Sequence, residues 1–168
     1  GWHNSDITIT IAAQDNESGS GVQEIIYFLN SLGAESKFSA GDTATITISQ
    51  EGYDSLRYYA KDKERNSSIA QTIELKLDKT PPQVSLSATP NILWPPNNKM
   101  VGVTINGSAT DTISKINSLS FKVTDEYGRI EPKIAKFGDT IQLEASRDGK
   151  DLNGRIYTIS LIATDNAG

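Results

Sequence analysis

Apolar and polar residues alternate along several stretches of the chain with a period of two. In Asp6–Ile11, three isoleucines are separated by threonines. Successive side chains of a β-strand point to opposite faces of the sheet, so this pattern predicts strands with one buried and one solvated face. The same alternation, with many β-branched or aromatic residues, predicts further strands at 43–48, 72–77, 101–105, 119–123, 141–145 and 156–162.

One segment, residues 23–32, is open to a second interpretation. Its apolar side chains could form one stripe of a short helix, because short apolar runs discriminate poorly between helix and strand. Ile, Tyr and Phe cluster between turns that contain glycine, and this favours a strand from Val22 to Leu29. The chain as a whole is therefore predicted to be all-β.

Three short motifs recur in the same order in the two halves of the chain. Asp111 follows Asp15 by 96 residues, Asp139 follows Asp42 by 97, and Asp165 follows Asp62 by 103. A duplicated unit of this size matches the roughly 100 residues of an immunoglobulin-type sandwich. We therefore expect two immunoglobulin-like β-sandwich domains in tandem.

The boundary between the two domains is predicted at Asp78-Lys79-Thr80-Pro81-Pro82. Two prolines remove backbone donors and keep the chain extended, which indicates a short, semi-rigid linker between domain 1–80 and domain 81–168. The first strand of the first domain and the last strand of the second are expected to be missing. The sequence is therefore interpreted as a piece of a longer polypeptide whose neighbouring segments are its partners.

Composition excludes several classes of chemistry. The chain has 168 residues, no Cys and one His, so thiol catalysis, disulfides and Cys/His zinc sites are excluded. The net charge of −5 argues against nucleic-acid partners, and the sequence has no apolar run long enough for membrane insertion. His3 is isolated, and no nucleophile elbow or phosphate-binding loop occurs, so we expect no enzyme activity.

Other motifs resemble a known group of proteins. The start Gly1-Trp2-His3, followed by Ser20-Gly21-Val22, resembles the bacterial Ig-like repeats of secreted and cell-surface proteins, and Asp78–Pro82 resembles their joints. Residues 93–99, Leu-Trp-Pro-Pro-Asn-Asn-Lys, resemble a Leu-Trp-Pro-Pro-Asn-His-Lys module of large extracellular proteins, with Asn98 in place of the histidine. The resemblance implies export and a modular role as a spacer, adhesin stalk or enzyme-appended domain, and it implies no reaction.

Aspartates in the predicted loops suggest calcium as a possible cofactor. Ca²⁺ is bound by loop carboxylate and carbonyl oxygens, and in an immunoglobulin-type topology Asp15 and Asp62 would meet at one pole of the first domain. Asp111 and Asp165 would meet at the corresponding pole of the second domain, with Asp78 of the linker beside them. The alternative is that each aspartate bonds the backbone of its own turn.

The aromatic residues suggest a possible glycan or host-surface ligand. Sugar faces stack on aromatic rings, and the candidates are Trp2, Tyr53, Tyr58, Tyr59, Trp94 and Tyr127. Tyr58 and Tyr59 must point to opposite faces of their strand, so at least one should lie in the core. Trp94, between prolines and a leucine, is expected to plug the end of the sandwich.

These observations predict a non-catalytic spacer or adhesive module of a larger secreted or cell-surface bacterial protein, with calcium at the domain joint as an added possibility. The alternative is a carbohydrate-binding accessory module of an extracellular enzyme that acts on polysaccharides. Melting with Ca²⁺ or EDTA and glycan binding separate these hypotheses.

Overall fold

The computed structural model describes residues 1–32, 37–129 and 132–168. The chain divides into two compact units, Gly1–Thr80 with Ala167–Gly168, and Pro81–Asn166. Each unit consists of two β-sheets, which confirms the predicted all-β fold with two immunoglobulin-like sandwiches. Within the described residues no helix has the length and hydropathy that a membrane span requires.

The described residues of the first unit form six strands. They are β1 (Ile7–Ala12), β2 (Val22–Leu29), β3 (Lys37–Ala40), β4 (Thr43–Ile48), β5 (Gly52–Asp62) and β6 (Gln71–Leu77). β1 pairs with β4, and the other sheet has the order β3-β2-β5-β6, with antiparallel pairing throughout. The ambiguous segment is a strand as predicted, and one 3₁₀ turn, Asn30–Leu32, follows it.

The alternation of apolar residues with threonines in β1 and β4 explains how the first core forms. Ile9 lies opposite Ile46 and Ile7 opposite Ile48, so the isoleucines of both strands lie on one face and the threonines on the other. Ile25 and Leu56 of the second sheet pack against this face and are fully buried. Burial of the apolar faces of the two sheets against each other is the main stabilising contribution to this unit.

Five strands occur in the part of the second unit that the structure describes. They are β7 (Gln83–Thr89), β8 (Lys99–Thr110), β9 (Ile116–Asp125), β10 (Thr140–Ala145) and β11 (Tyr157–Asp165). One sheet has the order β10-β8-β7 and the other consists of β11 and β9. Val103 and Ile105 of β8, Val123 of β9, and Ile141 and Leu143 of β10 form the buried core.

The repeated motifs occupy matching places in the two units. Asp15 and Asp111 follow the ends of β1 and β8, and these two strands pair with β4 and β10 respectively. Asp62 and Asp165 end β5 and β11, which pair with β2 and β9. The units differ at their edges, because β6 has no described counterpart beside β11, and β7 has none beside β1.

Candidate binding cleft in the second unit

A cleft of about 650 Å³ opens between β7 and β11 of the second unit. Leu86 and Ala88 of β7 and Ile159 of β11 line its walls, and each is only half-buried. Trp94 and Leu152 lie at its rim with 79% and 91% of their surfaces exposed. Exposed apolar side chains grouped around a concavity are typical of a binding surface.

A buried arginine forms the floor of this cleft. The side chains of Arg155 and Asp125 are 5% and 2% exposed, and they form an ion pair across the β9–β11 end of the unit. Nε of Arg155 donates to Oδ1 of Asp125 at 3.1 Å, and Nη2 donates to Oδ2. This two-point contact matches the planar fork of the guanidinium to the carboxylate.

The same guanidinium also connects to the opposite sheet. Nη1 donates to Oε2 of Glu144 at 2.9 Å and to Oγ of Ser146 at 2.7 Å. The hydroxyl of Tyr157 donates to the backbone carbonyl of Glu144 at 3.1 Å. Arg155 and Tyr157 therefore link the sheet of β11 to the sheet of β10.

Two tyrosine rings enclose the cation. The guanidinium carbon of Arg155 lies 4.7 Å from the ring centre of Tyr157 and 5.3 Å from that of Tyr127, which are cation–π distances. Tyr127 is held in place by its hydroxyl, which donates to Asp151 and accepts the backbone N–H of Asp148 at 3.2 Å. All three nitrogens of the guanidinium thus have partners within the protein.

The ionisation of the cluster follows from these contacts. The hydrogen bonds from Arg155 lower the pKa of Asp125 and that of Glu144, and the same hydrogen bonds raise the pKa of Arg155. Burial raises the pKa of Tyr157. The ion pairs of Arg155 with Asp125 and Glu144 therefore persist at neutral pH. The rest of the cleft is lined by apolar side chains, such as Leu86 and Trp94, and by polar ones, such as Asn91 and Arg147.

The two aspartates predicted as calcium ligands in the first unit both bond the backbone of their own loops. Asp15 accepts the N–H groups of Asn16 at 2.9 Å and Gly21 at 2.7 Å. Asp62 accepts the N–H and the side-chain amide of Asn66, both at 2.8 Å, and this lowers the pKa of Asp62. Calcium at this pole stays a prediction, and the contacts are those of turn-forming aspartates.

In the second unit, Asp111 and Asp165 lie together. Their carboxylates offer oxygens within 4.8 Å of each other. Oδ1 of Asp111 also accepts the N–H groups of residues 113, 114 and 115 at 2.8–3.0 Å. Asp78 belongs to the first unit, where it accepts the N–H of Thr80 at 3.0 Å. A calcium ion shared by the three aspartates stays a prediction.

The aromatic candidates occupy different environments. Tyr58 packs against the first core and Tyr59 stacks on Phe28, as expected for neighbours on opposite faces of a strand. The prediction that Trp94 plugs the sandwich is wrong. The preceding residue, Leu93, packs against the second core and fills the inward position, so Trp94 is left at the surface.

Sequence reasoning missed the Arg155 cluster. Arg155 lies 30 positions after Asp125 and 11 after Glu144, and the register of the sheets is needed to bring them together. His3, the isolated histidine, forms backbone hydrogen bonds with the end of the first unit's last strand, to Lys76 and Asp78 at 2.9 Å. Its backbone thus forms one parallel β-bridge with Leu77 at the end of β6.

No family model matches the chain, and no curated protein matches it. Among solved structures, the chain is similar to the fibronectin(III)-like modules of Clostridium thermocellum CbhA, with 21% sequence identity and a TM-score of 0.39. That match covers 99% of this chain and 80% of the other.

Proposed function

We propose that the chain is a non-catalytic structural module, a spacer or adhesive unit, of a larger secreted or cell-surface bacterial protein. The observation that carries this proposal is that the loop carboxylates accept hydrogen bonds from the backbone. Asp15, Asp62, Asp111, Asp139 and Asp151 each accept backbone N–H groups from their own loops. Carboxylates bound in this way fix the loops of a sandwich and are poorly suited to exchange protons with a substrate.

The buried cluster supports the same proposal. Arg155 bonds Asp125 in one sheet and Glu144 in the other, so its charge ties the two layers of the second sandwich together. A residue with a raised pKa that stays charged and fully bonded contributes to a defined structure. Stable sandwiches in series suit a protein that holds other domains apart.

A carbohydrate-binding accessory module is the second candidate function. The supporting observation is Trp94, whose side chain is largely exposed at the rim of the cleft beside the exposed Leu152. A sugar ring could stack on an aromatic face in this position, because its C–H groups form an apolar surface. The ring of Tyr53 is also exposed. It already has two neighbours, because it makes an edge-to-face contact with Trp2 and the amine of Lys76 lies over it.

A glycan array with the intact chain separates the two functions. The structural proposal predicts no saturable binding to any glycan. The carbohydrate alternative predicts binding that Trp94→Ala abolishes, while Tyr53→Ala, the matched change of an exposed ring in the first unit, leaves it intact. Binding of this second kind would replace the structural proposal with the carbohydrate one.

A further inference from the structure

The chain contains two Asn-Gly dipeptides, and the structure places them in different surroundings. Asn153-Gly154 lies in the loop between β10 and β11, and Asn106-Gly107 lies inside β8. An asparagine that precedes glycine is prone to lose its side-chain amide, because glycine has no Cβ atom to hinder attack by its own backbone nitrogen. The fold around each dipeptide therefore decides which of the two can react.

The loop dipeptide is accessible and weakly held. Asn153 is exposed, and its side-chain amide has no hydrogen-bond partner among the described residues. The backbone N–H groups of Asn153 and Gly154 donate to Oδ1 of Asp151 at 3.1 Å and 2.9 Å. Neither residue belongs to a strand. Hydrogen bonds of a surface loop open at a much lower free energy than the pairing of a sheet, so the backbone at Gly154 can become free to react.

The dipeptide in β8 is held by the sheet. Asn106 and Gly107 lie opposite Ser87 and Leu86 of β7 in an antiparallel ladder. The next residue, Ser108, donates its N–H to the hydroxyl of Ser85 at 3.0 Å. Attack by the backbone nitrogen of Gly107 on the side chain of Asn106 would require the chain to turn out of the extended conformation of a strand. β7 and β8 would have to separate first.

We propose that Asn153 is a site of spontaneous deamidation and that Asn106 is protected from the same reaction by the sheet. The backbone nitrogen of Gly154 forms a bond to Cγ of Asn153, and the bond from Cγ to the side-chain nitrogen breaks. The proton of the Gly154 N–H leaves with that nitrogen as ammonia. A solvent water then opens the resulting five-membered imide at one of its two carbonyls, which gives aspartate or isoaspartate.

The reaction would change the charge of the cleft. Asn153, Arg147 and Arg155 all line it. Both products replace a neutral amide by a carboxylate, and isoaspartate also adds a methylene group to the backbone before Gly154. A ligand in the cleft would then meet one more negative charge. The inference goes beyond the proposed function, because it holds for a spacer and for a sugar-binding module alike.

Peptide mapping by mass spectrometry tests the proposal after incubation of the intact folded chain at mildly alkaline pH. Peptides that contain residue 153 should convert from amide to acid at least about tenfold faster than peptides that contain residue 106. Both the aspartate and the isoaspartate products should appear, since water can open the imide at either carbonyl. Equal rates at the two sites, or no conversion at residue 153, would overturn the proposal.

The same incubation in concentrated urea is the matched control, because it removes the fold and leaves both dipeptides intact. The two sites should then convert at similar rates. A difference as large as that in the folded chain would overturn the proposal, since it would come from neighbouring residues in the sequence.

A variant assigns the reaction to one residue. Asn153→Gln should remove the early acidic form of the intact chain in anion-exchange chromatography, because glutamine would have to close a six-membered ring, which forms much more slowly. The substituted side chain is exposed, so the variant should fold like the wild type. An acidic form that appears in this variant as fast as in the wild type would also overturn the proposal.

Discussion

The guanidinium of Arg155 lies against the carboxylate of Asp125 in the interior of the second unit, where both side chains are at least nine-tenths buried. The contact joins the segment just before β11 to the end of β9, and the same guanidinium bonds Glu144 of the other sheet. A single cation therefore links both layers of this sandwich next to the cleft.

Loss of this cation should strongly destabilise the second unit. Arg155→Ala leaves the carboxylate of Asp125 buried without its partner, and such a change costs about 3–5 kcal/mol. Urea denaturation measures the change in the free energy of unfolding. The control is Arg129→Ala, because Arg129 is about half exposed and pairs with Glu144 and Asp148 at the surface. Equal effects of the two changes would show that the buried pair is not important for stability.

The pair should also make stability depend on acid pH. The folded-state pKa of Asp125 is lowered, chiefly by its hydrogen bonds to Arg155, so the unfolded chain binds a proton more readily than the folded one. The stabilisation is present above about pH 4, the ordinary aspartate range, and is lost as the pH falls through the lowered value.

Comparison with Asp125→Asn isolates this contribution from that of the other carboxylates. The variant should be less stable than the wild type at pH 7, and its free energy of unfolding should fall less between pH 5 and pH 2. Urea denaturation at a series of pH values measures both quantities. Parallel pH curves for the two proteins would contradict the assignment.

Gly107 should not tolerate a side chain. A Cβ atom at this position would lie 2.2 Å from the backbone carbonyl oxygen of Ser85 and 2.7 Å from the ring of Phe137. Because the carbonyl belongs to the neighbouring strand β7, Gly107→Ala must push β7 and β8 apart, and we expect a loss of more than about 2 kcal/mol. Gly149→Ala is the matched control, since a Cβ there has no atom within 4 Å. Thermal melts of both variants test this, and equal Tm values would refute it.

The calcium hypothesis has a direct test in the melting temperature. Ca²⁺ that binds the folded chain at Asp111 and Asp165 must raise Tm, and EDTA must lower it. Asp111→Asn keeps an oxygen for the loop amides but removes the charge, so it should abolish the calcium effect. Asp139→Asn, in another loop aspartate that bonds backbone amides, should leave the effect unchanged. A shift of less than about 1 °C on addition of EDTA would contradict calcium binding.

Strands with one buried face were predictable from the sequence. β4 alternates between exposed and buried residues along its whole length. Its threonines are the exposed residues, and its alanine and isoleucines are the buried ones. β7 was not predicted, although Val84, Leu86 and Ala88 alternate with serine and threonine in the same period of two. β7 lies at the edge of its sheet, and Val84 is about half exposed there.

The candidate cleft was less predictable than the fold. The sequence predicts that Trp94 plugs the end of the sandwich, but Leu93 takes the inward position, and the two neighbours cannot be told apart by polarity because both are apolar. The contacts of Arg155 with Asp125 and Glu144 depend on strand register, which the sequence does not encode locally.

The chain consists of two structural units, each with its own core. Stretching single molecules of the intact chain tests this most directly. The account predicts two separate unfolding events that each release roughly 25–30 nm of chain, from about 3.3–3.6 Å per residue, with Arg155→Ala lowering the force of one event and not of the other. One event that releases the whole length, or an equal effect of Arg155→Ala on both events, would contradict it.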